Sequence, residues 1–160
     1  MELKGKNVLI LGLARSGIAA AIELINLGAK VTASDMKSKG ELKDIAALES
    51  KGAELVFGEH PLILLNGCDL IVLSPGVPSD INILDEARKR DIPIISELEL
   101  GFWFAKAPII AVTGTNGKTT TTALTGELIK KAVFNCQITG NIGVGILWKS
   151  VNAENDDIFV

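Results

Sequence analysis

The sequence has few of the residues that build disulfide frameworks or metal centres. Its 160 residues include two cysteines and one histidine. Cys68 and Cys136 cannot build a disulfide framework, and neither lies in a CxxC pair. No group of histidine, cysteine and carboxylate residues has the spacing of metal ligands, so we expect no dedicated zinc site.

The sequence also lacks a block of basic residues and a long apolar run. Its formal net charge of −3 argues against binding nucleic acid through the phosphates. Apolar runs such as Ile109–Val112 fall far short of the roughly 20 residues that cross a bilayer. The start, Met-Glu-Leu-Lys-Gly-Lys, is unlike a signal peptide. We therefore expect a soluble cytoplasmic protein with no nucleic-acid partner and no membrane insertion.

Short apolar runs alternate with helical patterns in the first 95 residues. The runs predict strands at 7–12, 30–34, 54–57, 69–74 and 93–95, and helices at 18–25, 41–51 and 83–90. Repeated strand–helix–strand units predict a Rossmann-like, doubly wound parallel sheet. Residues 1–95 are therefore predicted to form one α/β domain.

A second α/β domain is predicted to begin near residue 107. Residues 96–106 read as a linking helix, with Ser96 as its N-cap and Glu99 three residues later. A strand is predicted at Ile109–Thr113, before a glycine loop and a helix, and another at Cys136–Thr139. The sequence stops inside a strand-like run, Ile158–Val160, so we expect this domain, 107–160, to be incomplete.

The loop Gly114-Thr-Asn-Gly-Lys-Thr-Thr120 is the strongest chemical signal. Between a strand and a helix, such a loop turns backbone N–H groups inward and binds phosphate. Lys118 would reach the outer phosphates, and Thr119 would offer its hydroxyl to Mg²⁺. The common pattern requires glycine where this chain has Val112. A turn that only caps a helix is the alternative, and we interpret the segment as an ATP loop.

A second glycine turn, Gly12-Leu-Ala-Arg-Ser-Gly17, follows the first predicted strand. It has Ala14 in place of the middle glycine of the dinucleotide fingerprint, and Asp35 ends the second strand. These features fit NAD, another nucleotide or a turn without a ligand.

Three other features remain open at this point. Ser74-Pro-Gly-Val-Pro78 follows the fourth strand and either contacts the same ligand or is a proline-fixed turn. Gly140-Asn-Ile-Gly143 is either a ligand loop or a glycine-rich connection. His60, which precedes Pro61, is interpreted as a surface residue rather than a catalytic base.

In this order, the pieces resemble the Mur ligases of peptidoglycan synthesis. Folylpolyglutamate synthetases share Gly-Thr-Asn-Gly-Lys but lack the preceding domain. The resemblance covers the whole sequence and implies an ATP-dependent ligase that forms an amide through an acyl phosphate. The nearest branch adds D-glutamate to UDP-N-acetylmuramoyl-L-alanine and releases ADP and phosphate.

The resemblance also implies roles for particular residues. The residues implied to bind the UDP part of the substrate are Arg15, Ser16, Asp35, Met36, Lys37, Ser74, Pro75, Gly76 and Asn141. Those implied to bind ATP are Gly114, Thr115, Asn116, Gly117, Lys118, Thr119 and Thr120. Lys118 and Thr119 are the implied catalytic residues, and Thr119 lies near Mg²⁺.

The departures from the family lie in what the sequence lacks. The family's magnesium-binding glutamate, modified lysine, central histidine and C-terminal amino-acid domain are not in these 160 residues. We therefore expect a fragment, inactive alone, of a monomeric parent. The alternatives are a UDP-muramate:L-alanine ligase, which tends to carry histidine at the position of Asn116, an NAD-binding module or a non-catalytic nucleotide-binding module.

Overall fold

The chain divides into two compact units. A computed structural model describes residues 2–42, 44–132, 135–139, 146–151, 153–154 and 157–160. The units are Met1–Leu100 and Gly101–Val160. Each contains a parallel β-sheet.

The first unit alternates strands with helices. Its elements are β1 (Asn7–Leu11), α1 (Arg15–Asn26), β2 (Lys30–Asp35), α2 (Ala46–Ser50), β3 (Glu54–Phe57), β4 (Leu70–Leu73), α3 (Asn82–Lys89) and β5 (Ile94–Ser96), with 3-10 helices at Lys39–Glu41 and Leu62–Leu65. Each strand lies within one residue, at either end, of its sequence prediction. A further helix, α4 (Glu97–Phe104), follows β5. The amide of Glu99 donates to the Ser96 hydroxyl at 3.0 Å, which confirms Ser96 as the N-cap.

All five strands pair in parallel in the order β3-β2-β1-β4-β5. In the register, Leu11 lies opposite Ser34 of β2 and Leu73 of β4. The connection from β1 leads to β2 on one side, whereas β4 lies on its other side. This reversal leaves a crevice beyond the carboxyl ends of β1 and β4, where ligands bind in sheets of this kind. The predicted Rossmann-like fold is confirmed.

Burial of β1 from both faces explains its continuous apolar sequence. Val8, Leu9, Ile10 and Leu11 are at most 2% exposed, although successive side chains point to opposite faces. On one face the core cluster consists of Leu9, Leu11, Leu65, Ile71, Ile83, Leu84 and Ala87. Burying each of the larger side chains contributes about 1.5–3 kcal/mol relative to exposure. The carboxyl edge of the sheet is therefore held on a rigid core.

The helix predicted at 41–51 is wrong in its first half. The structure has a 3-10 turn that ends at Glu41, whose carboxylate accepts hydrogen bonds from the amide and hydroxyl of Ser38. Leu42 is then extended, and Asp44 has a φ of 62° in the left-handed region. A left-handed residue interrupts a right-handed helix, so α2 begins only at Ala46.

The second unit contains α5 (Lys118–Lys131), β6 (Asn135–Gln137), α6 (Ile146–Val151) and β7 (Asp157–Phe159) in its described part. β6 and β7 pair in parallel. The buried carboxylate of Asp157 accepts hydrogen bonds from the side chains of Asn135 and Gln137 and from the amide of Glu154. The two bonds from Asn135 and Gln137 connect β7 to β6.

The strand predicted at Ile109–Thr113 is reduced to one isolated bridge, between Ile109 and Phe159. The Ile110 amide donates to the Phe159 carbonyl at 2.8 Å, and the Phe159 amide donates to the Pro108 carbonyl at 2.9 Å. No described residue pairs in a ladder with the rest of the predicted strand.

No described helix combines the length and the apolar character that crossing a bilayer requires.

Glu97 makes the stability of the first unit depend on pH. It is 8% exposed, its Oε1 has no hydrogen-bond partner, and burial raises the pKa of its carboxyl group. Because the folded state binds this proton more tightly than the unfolded state, the stabilisation is full below the ordinary pKa of 4.5. It is lost as the pH rises through the raised pKa.

We therefore expect Glu97→Gln to be more stable than the wild type at pH 7.5, with a difference that shrinks towards pH 4. Urea unfolding at several pH values measures this. Glu99→Gln is the matched control, because the Glu99 carboxylate lies on the same helix and is exposed. A Glu97→Gln variant that is less stable at pH 7.5 would contradict this assignment.

Candidate functional site

A glycine turn joins β1 to α1 at the carboxyl edge of the sheet. Gly12 has a φ of 93°, and its amide donates to the Ser34 carbonyl at 2.8 Å. A Cβ on Gly12 would lie 2.7 Å from Cγ2 of Val77 and 2.9 Å from Cβ of Ser74. Only glycine combines this backbone conformation with this close approach.

Ser74 closes the turn from the neighbouring strand. Its hydroxyl donates to the Gly12 carbonyl at 2.8 Å, and its side chain is 2% exposed. Gly17 packs against the same point, since a Cβ there would lie 2.0 Å from the Gly12 carbonyl oxygen. The Ser74 hydroxyl is thus directed at the turn, while Pro75 and Gly76 are exposed at the edge.

Asp35 connects the end of β2 to the same turn. Its Oδ2 accepts from the Leu13 amide at 2.6 Å, and its Oδ1 accepts from the Lys37 amide at 2.8 Å. Each carboxylate oxygen has a further lone pair with which to accept a ligand hydroxyl. Asp35 therefore shapes the edge and remains able to bind there.

Four other residues implied to bind UDP, namely Arg15, Ser16, Met36 and Lys37, lie at the same edge. Arg15 begins α1, and Met36 and Lys37 follow β2 with their side chains exposed. No side chain caps the N-terminus of α1, and its first turn has no acidic residue. The free amides and positive partial charge of this terminus suit an anion, and Ser16 lies in the same turn. Asn141 and the segment 140–143 lie outside the described residues.

His60 makes a contact that the sequence interpretation did not predict. It follows β3, and its Nδ1 lies 2.7 Å from the hydroxyl of Ser34, which is fully buried. Burial lowers the pKa of His60, while the charge of Asp35 opposes this shift. A lone histidine before a proline carried no signal of this contact, which depends on the pairing of β2 with β3.

The glycine loop of the second unit has the form of a phosphate-binding turn. Gly117 is the N-cap of α5 in a left-handed conformation, with a φ of 76°. It offers no side chain to the helix amides, and the first turn has no acidic residue. Lys118 folds back over the loop and donates to the carbonyls of Gly114 at 2.6 Å and Thr115 at 3.3 Å. The residues from 113 to 121 are exposed.

Two cavities lie at the opposite, amino edge of the first sheet. Their volumes are about 320 and 200 Å³, and both are lined by Asn7, Thr32 and Glu54. The Thr32 hydroxyl donates to the Glu54 carboxylate at 3.3 Å, so these polar groups pair with each other. We assign the site to the carboxyl edge, where the glycine turn and the uncapped helix lie.

Among the described residues, no three His, Cys, Asp or Glu side chains group to hold a metal ion.

This geometry defines a Rossmann-like α/β protein whose sheet carries a glycine turn and an uncapped helix terminus at its carboxyl edge. Residues 6–96 match the family described as "Mur ligase MurD-like, N-terminal domain", and residues 112–160 match "Mur ligase middle domain". The first match alone covers more than half of the chain. The chain belongs to the Mur ligase family.

Curated relatives are similar over nearly the whole chain. A UDP-N-acetylmuramoylalanine–D-glutamate ligase of Staphylococcus aureus (strain MW2) is 49% identical over 141 residues, which cover 88% of this chain and 31% of the relative. A ligase of the same name from Alkaliphilus metalliredigens (strain QYMF) is 45% identical over 163 residues, covering 100% and 36%. The chain thus spans about a third of the length of these relatives.

Solved structures agree with the fold. UDP-N-acetylmuramate–alanine ligase MurC of Thermotoga maritima has a TM-score of 0.52 at 26% identity, covering 82% of this chain and 30% of that one. A pseudomurein peptide ligase type C of Methanothermus fervidus has a TM-score of 0.56 at 24% identity, covering 98% and 32%. The latter likeness concerns the fold alone.

Replacing Gly17 with alanine tests the close packing at the turn. The new Cβ would overlap the Gly12 carbonyl, so we expect a loss of about 2 kcal/mol or more in the free energy of unfolding. Urea unfolding measures it. Gly40→Ala is the matched control, because a Cβ at Gly40 meets nothing within 4 Å. Equal stability of the two variants would contradict the described packing.

Proposed function

We propose that the chain is the N-terminal part of a UDP-N-acetylmuramoyl-L-alanine:D-glutamate ligase. One observation carries the proposal. In each unit a helix, α1 in the first and α5 in the second, follows a glycine turn and has no side-chain cap and no acidic residue in its first turn. Each such terminus attracts an anion. A ligase of this class needs two phosphate-bearing substrates, one with a UDP group and one that donates a phosphoryl group.

The first unit is assigned to the UDP group. The α1 terminus with Arg15 and Ser16 takes the diphosphate, and Asp35, Met36 and Lys37 line the edge beside it. The Ser74–Gly76 segment contributes on the other side, with the Ser74 hydroxyl holding the turn rather than the ligand. Asn141 is assigned to the same substrate from its sequence alone. The names of the relatives at 45–49% identity support this substrate.

The second unit is assigned to ATP and Mg²⁺, and its residues fit them. Gly114–Thr120 supplies loop amides and the α5 terminus, Lys118 supplies a positive charge, and Thr119 supplies a hydroxyl for the metal ion. Lys118 donates only to loop carbonyls in this structure, so its ammonium group is available to phosphate oxygens. Bound Mg²⁺ would offset the negative charge of the phosphates.

The proposed reaction proceeds in two steps in the full-length enzyme. A substrate carboxylate oxygen attacks the γ-phosphorus of ATP, and ADP leaves, which gives an acyl phosphate. The amine of D-glutamate then attacks the acyl carbon, an amide forms, and phosphate and a proton leave. Lys118 stabilises negative charge on the phosphate oxygens in the first step. An L-alanine-adding ligase and an NAD-binding module are the alternatives that the tests below distinguish.

Ligand-dependent thermal stability tests the UDP assignment. UDP-N-acetylmuramoyl-L-alanine at 100 times its dissociation constant is expected to stabilise the chain by about 2.7 kcal/mol, because it binds the folded state alone. Calorimetry with this ligand, UDP-N-acetylmuramate and NADH makes the comparison. A rise in the melting temperature with NADH alone contradicts the ligase proposal. A larger rise with UDP-N-acetylmuramate than with UDP-N-acetylmuramoyl-L-alanine favours the L-alanine-adding class.

A charge deletion tests the ATP assignment. Lys118→Ala is expected to remove any stabilisation by ATP and Mg²⁺, because the loop then lacks its phosphate-facing cation, and to leave stabilisation by the UDP ligand unchanged. Lys131→Ala, in the last turn of the same helix, is the matched control. Retained ATP binding in Lys118→Ala would refute the role assigned to this lysine.

A further inference from the structure

The loop that follows β3 makes three polar contacts with the end of β2. The Gly58 amide donates to the Asp35 carbonyl at 2.9 Å. The Ser34 hydroxyl lies 2.9 Å from the Glu59 carbonyl oxygen, to which it donates, and 2.7 Å from Nδ1 of His60. The loop therefore contacts Ser34 and Asp35, the two residues that end β2.

Ser34 connects the loop after β3 to the glycine turn. Its side chain is fully buried, and its carbonyl accepts the Gly12 amide at 2.8 Å. The next residue, Asp35, accepts the Leu13 amide. A displaced Ser34 would thus move both the entry of the turn and the Asp35 carboxylate. A buried hydroxyl that loses a partner is costly, so the His60 contact favours one position of this strand end.

His60 is suited to a fixed position. Burial lowers the pKa of its imidazole, which is therefore neutral at pH 7, with one nitrogen as donor and the other as acceptor. When the Ser34 hydroxyl gives its proton to the Glu59 carbonyl, Nδ1–H is the group that can donate to the hydroxyl oxygen. Pro61 restricts the backbone of His60 to extended conformations before any ligand binds.

We propose that His60 is a positioning residue for the UDP site: through Ser34 it fixes the end of β2, and so holds the Asp35 carboxylate and the Gly12 turn in the geometry that binds the uridine diphosphate group. This inference rests on the proposed function. It adds a residue that contacts the site only through others, and it predicts that loss of the Nδ1 contact weakens ligand binding.

The test uses two substitutions of His60 in the 160-residue chain, with UDP as the probe. His60→Phe keeps a ring of similar size but removes both nitrogens. His60→Asn places an amide, with a donor and an acceptor, near the position of Nδ1. Isothermal titration calorimetry measures the dissociation constant for UDP, and a melting curve measures stability. Asn7→Ala, which loses a hydrogen bond to the Gly67 carbonyl at the amino edge, is the matched control.

We expect His60→Phe to weaken UDP binding by about fivefold, because UDP must then order the end of β2 as it binds. The worth of the lost hydrogen bond, about tenfold, is the upper limit of this effect. His60→Asn should bind within about twofold of the wild type, and Asn7→Ala should melt earlier with unchanged UDP binding. If His60→Phe does not fold, His60→Gln replaces it, because its longer side chain places the amide near Nε2 rather than Nδ1.

Two results would overturn the inference. One is a lower melting temperature in His60→Phe, or in His60→Gln in its place, with wild-type affinity for UDP, which is what a merely structural role produces. The other is a loss of affinity that His60→Asn does not restore. If the wild-type chain itself fails to bind UDP, the proposed function fails together with the inference, so the two failures are distinguishable.

Discussion

The close approach of Gly12 to Ser74 and Gly17 is the contact on which the candidate site depends. The turn leaves no room for a Cβ at Gly12 or at Gly17, and the Ser74 hydroxyl donates to the Gly12 carbonyl. This packing brings the start of α1 to the point where β1 and β4 end. It thereby aims an uncapped helix terminus at the crevice, with Asp35 beside it, and positions the charge that an anionic ligand meets.

Much of the first unit follows from the sequence because its signals are local. An apolar strand that ends in glycine, followed by a helical stripe, specifies each strand–helix unit, and parallel pairing then brings the strand ends to one edge. Two predicted elements differ from the structure. Asp44 in a left-handed conformation, which periodicity does not encode, interrupts the predicted second helix. Among the described residues, the strand predicted at Ile109–Thr113 consists of one bridge between Ile109 and Phe159.

The candidate site was predictable in its glycines and less so in its polar side chains. Gly12 and Gly117 are visible as breaks between a strand and a helix, and Asp35 is visible as an acidic strand end. The direction of the Ser74 hydroxyl and the contact of His60 with Ser34 arise from residues 62 and 26 positions apart. Sheet order determines such contacts, and composition does not reveal them. Their consequence is that side-chain contacts within the protein hold the glycine turn and the end of β2 at the carboxyl edge.

An amide chemical-shift titration of the 160-residue chain with UDP-N-acetylmuramoyl-L-alanine tests the central claim most directly. The account predicts that the largest shifts fall on the carboxyl edge, at the amides of residues 13–17, 36–37 and 76–77. Amides at the amino edge, such as those of Asn7, Thr32 and Glu54, should stay unchanged. Shifts concentrated at the amino edge, or spread evenly over both edges, would contradict the assignment of the site.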